Sequence, residues 1–91
     1  MVNNWIAGMN KKTEKKLYAM LGAHLRQERN SAGLAQDDVA VNVGFDRRHY
    51  GRIESGQKKV SITRLIEICC VLGIEPGVLV DRLAKEYSHD S

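Results

Sequence analysis

Leu17, Leu21 and Leu25 recur at every fourth position, and the apolar residues beyond them keep helical rather than alternating spacing, so the chain carries no strand pattern. One proline, Pro76, and the glycines at 33, 44 and 73 punctuate that spacing. The result is an expected all-α domain, a compact bundle of five helices. The first is expected from Thr13, as N-cap, to about Ser31, with Gly33 just past its end. The second spans Gln36 to Val43, buries Val39, Ala40 and Val43, sets Asp37 and Asp38 at the positive end of the helix dipole, and stops at Gly44. Asp46 is the expected N-cap of the third, with Phe45 stapled against Tyr50. The fourth opens at Ser61 and is expected to turn Ile62, Leu65, Ile66, Cys69 and Leu72 inward before Gly73. The fifth has Pro76 in its first turn, followed by Val78, Leu79 and Leu83, and reaches Tyr87.

A chain of 91 residues supports one hydrophobic core. Residues 13–87 read as the domain, residues 1–12 as a flexible extension, and residues 88–91 as a frayed end. The opening MVNNWIAGMNKK lacks the apolar stretch of a secretory signal, and no run reaches the roughly 18–20 apolar residues of a membrane span. A cytoplasmic protein is expected, with no membrane association. Cys69 and Cys70 are neighbours, so they neither staple distant segments nor have metal-site spacing. One of them should be buried. His24, His49 and His89 are scattered and read as surface side chains, so no metal and no other cofactor is expected.

The net charge of +3 conceals two basic blocks. Residues 1–16 carry Lys11, Lys12, Lys15 and Lys16 against Glu14, and residues 45–59 carry Arg47, Arg48, Arg52, Lys58 and Lys59 against Asp46 and Glu54, each a local +3. A clustered basic footprint suits a polyanion, although a charge run alone is more often merely a solvated face.

Two short helices joined by a glycine turn of about three to four residues form a helix-turn-helix, whose second helix fits a DNA major groove. Here Ala40 lies four residues after Gln36, Gly44 four after Ala40, and Ile53 nine after Gly44. These positions supply a small residue at the helix crossing, a left-handed turn and a core anchor. At this point residues 17–83 resemble the Cro and lambda-repressor (XRE) type of helix-turn-helix. The resemblance rests on Arg29, Gly33-Leu34-Ala35-Gln36, Ala40, Gly44 and Ile53-Glu54-Ser55-Gly56, with Leu65-Ile66-Glu67-Ile68 and Leu72-Gly73-Ile74 further on. The stretch GFDRRHYGRIESG looks most like the controllers of restriction–modification operons. There are two departures. Ala35 stands where the family has a capping Ser, whose loss typically costs about 1 kcal/mol, and Tyr50 stands where it has Ile or Val, so the hydroxyl needs room and a partner.

With Tyr50 and Ile53 inward, the 100° helical step puts Arg47, Arg48, Gly51 and Arg52 outward and His49 at the margin. The arginine fork matches guanine N7 and O6, which makes Arg47, Arg48 and Arg52 the candidate base-contacting residues. Gly51 either admits DNA closely or serves a tight helix crossing. Lys58 and Lys59, in the loop after this helix, are candidate backbone contacts. The resemblance implies a phosphate-contacting and bracing role for Gln36, and an Arg29–Glu54 ion pair linking the first helix to the end of the third.

These residues lead to a DNA-binding transcription regulator, not an enzyme, since no nucleophile-and-base pairing or phosphate-cradling loop accompanies them. Double-stranded DNA is the expected partner. A homodimer is expected on Val78, Leu79 and Leu83, whose apolar stripe a small domain should not leave in water, and its symmetry implies a near-palindromic operator. The alternative is an antitoxin or adaptor that binds a protein partner, discriminated by whether the triple-arginine face matters.

Overall fold

The computed structural model describes residues 11–90, excluding the side chain of Asp90. The expectations for Trp5, Ile6 and Met9, and for residues 1–10 of the extension, lie outside the described residues. Five helices follow one another: α1 (Lys11–Ser31), α2 (Gln36–Val43), α3 (Arg47–Glu54), α4 (Ile62–Leu72) and α5 (Pro76–Asp90). Helix α1 packs on α3 and α5, α2 on α3 and α4, and α4 on α5. Among the described residues there is no strand, and no helix is long and apolar enough to cross a membrane.

The helix ends have local causes. Asp46 caps α3 by accepting the His49 backbone N–H at 2.7 Å, and Ser61 caps α4 by accepting that of Arg64 at 3.2 Å. Gly44 ends α2 in the left-handed region, at φ 75°, a conformation that a side chain would resist. Ala35 cannot cap α2 with a side chain, yet Asp38 reaches back and accepts the Ala35 N–H at 2.8 Å. This supplies the carboxylate half of a capping box and offsets part of the missing hydroxyl.

Two boundaries differ from the sequence reading. Helix α1 already includes Lys11, so Thr13 is inside the helix and is not its cap, and α5 runs through residues 88–90 rather than fraying after Tyr87. A docked helix keeps its last turn: His24 of α1 meets Glu86 of α5 at 2.9 Å, and Arg82 meets Glu28 at 2.8 Å.

The core is built from Leu21 and Leu25 of α1, Val39, Ala40 and Val43 of α2, Tyr50 and Ile53 of α3, Leu65, Ile68, Cys69 and Leu72 of α4, and Leu79 of α5. Leu17, expected on the same inward stripe as Leu21 and Leu25, is only half-buried. Helix α4 is rotated relative to expectation: Ile68 is fully buried, whereas Ile62 and Ile66 are 64% and 43% exposed. The expected stripe on α5 is also corrected. Leu79 is fully buried in its own protomer and Leu83 packs against the same core, which leaves Val78 and Val80 as the exposed apolar residues of α5. Leu79 therefore stabilises the monomer and offers no surface. Of the adjacent cysteines, Cys69 is buried and Cys70 exposed.

Candidate nucleic-acid interface

Helix α3 is amphipathic over only eight residues. Tyr50, Ile53 and Glu54 are buried, and Arg47, Arg48 and Arg52 are exposed. His49 and Gly51 are intermediate between the two faces. The 3.6-residue period thus collects the three arginines on the solvent side of the helix.

Phe45, expected at the staple position opposite Tyr50, is half-buried against the core cluster that contains Tyr50. Its ring stacks on His49, with centroids 4.3 Å apart, and the Arg64 guanidinium lies 5.0 Å from the centre of the Phe45 ring. Arg64 also donates to the Val43 carbonyl at 2.8 Å, so one α4 side chain holds both the end of α2 and the residue that introduces α3. Nothing in the sequence pattern marks Arg64 for this work, because the partners it joins meet only in the folded domain.

Beneath the arginine face lies a polar cluster. Arg29 donates through Nε to Glu54 Oε2 at 2.7 Å and through Nη2 to Oε1 at 3.0 Å, a two-pronged pair almost closed to solvent. The third guanidinium nitrogen donates to the Leu34 carbonyl at 2.8 Å. Gln36 Nε2 donates to the same Glu54 carboxylate at 3.0 Å, and Arg26, half-exposed, approaches it at 3.4 Å. The Arg29–Glu54 pair expected from the resemblance is therefore present, and Gln36 braces it from the first turn of α2.

Burial alone would raise the Glu54 pKa, but the surrounding donors, Arg29 first, then Tyr50 and Gln36, hold it below the ordinary carboxylate value. The Arg29 pKa is raised, chiefly by its hydrogen bonds to Glu54 and against the opposing effect of burial. Tyr50 is fully buried, and its hydroxyl stands close enough to Glu54 to influence the carboxylate without closing a hydrogen bond of regular geometry. Burial first, and the nearby Glu54 carboxylate second, raise its pKa.

Two glycines control how closely these helices approach. A Cβ at Gly22 would collide with the Glu54 and Ile53 carbonyls, so α1 crosses the end of α3 with backbone against backbone. Gly22 was not singled out in the sequence, although it stands between Leu21 and Leu25, where a helix interior ordinarily excludes glycine. At Gly51 a Cβ would stand 3.3 Å from Gln36 Oε1, which supports a helix crossing as this residue's structural reason.

Lys58 and Lys59 are exposed in the loop after α3, and Lys59 Nζ lies 3.5 Å from Glu14. The loop is anchored by the Gln57 N–H, which donates to the Arg52 carbonyl at 2.8 Å. Among the described residues, no group of three or more His, Cys, Asp or Glu side chains could hold a metal ion.

This geometry has counterparts. A family described as a helix-turn-helix domain matches residues 20–83, most of the chain and all of α2 and α3. The chain belongs to the helix-turn-helix family. Among curated proteins, the control protein C.MunI from Mycoplasma sp is 36% identical over 62 residues, covering 68% of this chain and 81% of the relative. The restriction-modification controller C.AhdI from Aeromonas hydrophila is 35% identical, with a TM-score of 0.65 over 68% of this chain and 94% of that one. The clp gene regulator ClgR from Corynebacterium glutamicum is 26% identical and superposes with a TM-score of 0.75 over 81% of this chain and 79% of its own. This helix-turn-helix protein is accordingly a DNA-binding transcription regulator of the Cro and lambda-repressor type, and its relatives are control and gene-regulator proteins.

Proposed function

We propose that the protein binds a near-palindromic operator as a homodimer, in the cytoplasm, and regulates the genes beside it in the manner of a restriction–modification controller. The observation that carries this reading is the solvent-facing row of Arg47, Arg48 and Arg52 on a helix whose other side is locked into the core. Arg47, Arg48 and Arg52 divide between guanine edges and phosphates, because the guanidinium fork suits both. Gln36, Lys58 and Lys59 grip the backbone and set register. Gln36 has a dual role: its amide nitrogen is committed to Glu54, which fixes the side chain at the start of α2 before DNA arrives.

Support for a dimer comes from Ile62 and Ile66 on α4 and Val78 and Val80 on α5, apolar side chains left in water by the single protomer. A two-fold dimer places its recognition helices in successive major grooves about 34 Å apart, so half-site centres lie roughly 10 base pairs from one another.

Selection of bound duplexes from a random pool, repeated with Arg47, Arg48 and Arg52 all changed to Ala, tests the reading. Enrichment of a symmetric sequence by the wild type and its loss in the variant are expected. Retention of both affinity and preference by the variant would shift the function to capture of a protein partner.

A further inference from the structure

The basic blocks of residues 1–16 and 45–59 are far apart in sequence, yet part of each lines a single groove. A Cβ at Gly56 would stand 2.8 Å from Ala19 Cα, so the α3–α4 loop lies directly against α1. Beside that contact a groove of about 630 Å³ opens between the first turns of α1 and the loop. Its charged lining is Lys11, Lys15, Lys16, Lys58 and Lys59 against Glu14 alone. Five lysines against one glutamate leave the groove strongly positive even though Lys59 and Glu14 make a loose, exposed ion pair at 3.5 Å. Lysines gathered along one groove raise its positive potential and favour an anion there, whose charge offsets their mutual repulsion.

The position of the groove identifies the anion. It begins at Ser55, the residue that follows α3, and its loop wall is tied by Gln57 and Lys58 N–H groups to the Arg52 carbonyl. It therefore continues directly from the end of the recognition helix along α1. We propose that this groove holds backbone phosphates of the bound duplex flanking each half-site, with Lys11 and Lys15 of α1 extending the grip of Lys58 and Lys59. The inference rests on α3 being the DNA-reading helix. Lys11 and Lys15 are one helical turn apart on the same face of α1, about 6 Å in rise, so they follow a strand rather than meet at a point. Such contacts add affinity without sequence information.

The test compares the wild type with the double variant Lys11→Ala/Lys15→Ala, and with Lys85→Ala as a control for removed charge, since Lys85 pairs with Asp81 on α5. Two duplexes carry the selected operator, one trimmed to the half-sites and one extended by roughly 10 base pairs on either side. On the extended duplex, the slope of log affinity against log salt should be shallower by about 2 for the double variant, equivalent to about tenfold less affinity lost between about 50 and 200 mM salt. The control should match the wild type, and the double variant should converge with both on the trimmed duplex. Equal slopes for all three proteins on the extended duplex, with preference for the selected sequence retained, would overturn the groove and leave the reading of α3 standing. A wild type that showed no sequence preference would overturn both.

Discussion

Gln36 and Glu54 are joined by a 3.0 Å hydrogen bond that connects the first turn of α2 to the last residue of α3, on the carboxylate that Arg29 also holds from α1. The relative placement of the helix-turn-helix pair is thereby set by one buried anion with donors from two other helices. This arrangement makes Glu54 the most consequential polar residue of the domain.

Replacement of Glu54 by Ala should leave the Arg29 guanidinium buried without its counter-ion and cost about 3–5 kcal/mol. Urea unfolding measures it, and an unchanged midpoint would remove the pair from the account of stability. The same carboxylate imposes an acid limb. Because its folded pKa is depressed, its contribution is fully present above the unfolded carboxylate value of about 4.3 and is lost as pH falls through the lower folded value. The Glu54→Gln protein should show a weaker loss of stability across that window than the wild type.

Gly22→Ala should destabilise the domain by about 1–3 kcal/mol or more, despite alanine's better helix propensity, because rigid backbone carbonyls of Glu54 and Ile53 occupy the space. Gly51→Ala meets only the end of the Gln36 side chain and should be milder in thermal unfolding. A reversed order of the two midpoints would contradict the close approach of α1 and α3.

Leu79→Asp should unfold the protomer, since Leu79 is fully buried, and would say nothing about assembly. Ile62→Asp and Ile66→Asp alter exposed positions and should keep the helical circular dichroism while shifting sedimentation at micromolar concentration from dimer to monomer. A folded Ile66→Asp protein that still sedimented as a dimer would move the contact off this face.

Single alanine variants of α3 and its loop should separate into two classes on cognate and scrambled duplexes. An arginine among Arg47, Arg48 and Arg52 that reads guanine should cost about 1–3 kcal/mol and relax preference at one position. Lys58→Ala should instead weaken binding to all sequences alike and reduce the salt slope by about 1. Titrations at several salt concentrations distinguish them.

The cysteines offer a check on packing. Burial, followed by the neighbouring Cys70 and Glu28, pushes the Cys69 thiol up to about 11, so little thiolate is present near neutrality. A thiol reagent at pH 8 should label one cysteine quickly, mapped to Cys70, and reach Cys69 only as the protein unfolds. Rapid labelling of both would contradict the packing of α4.

Much of the domain was legible in the sequence because its signals are local. The Asp46 and Ser61 caps, the left-handed turn at Gly44, and the separation of Tyr50 and Ile53 from Arg47, Arg48 and Arg52 follow from side-chain hydrogen bonds to nearby N–H groups and from the helical period. The Arg29–Glu54 pair was legible differently, through motif resemblance, since its members are 25 residues apart.

What only the tertiary structure decided depends on which helix lies against which. Helix α4 is apolar on several sides, so its period could not choose between burying Ile66 and burying Ile68, and the neighbouring helices made the choice. The same holds for Leu79, enclosed by its own protomer, for Phe45 against His49 and Arg64, for the glycine crossing at Gly22, and for the lysines of two distant segments gathered along one groove. Caps, turns and amphipathic faces are encoded within a few residues of chain, whereas the rotation of a helix about its axis and the meeting of remote side chains are set by packing free energy shared among all the helices at once.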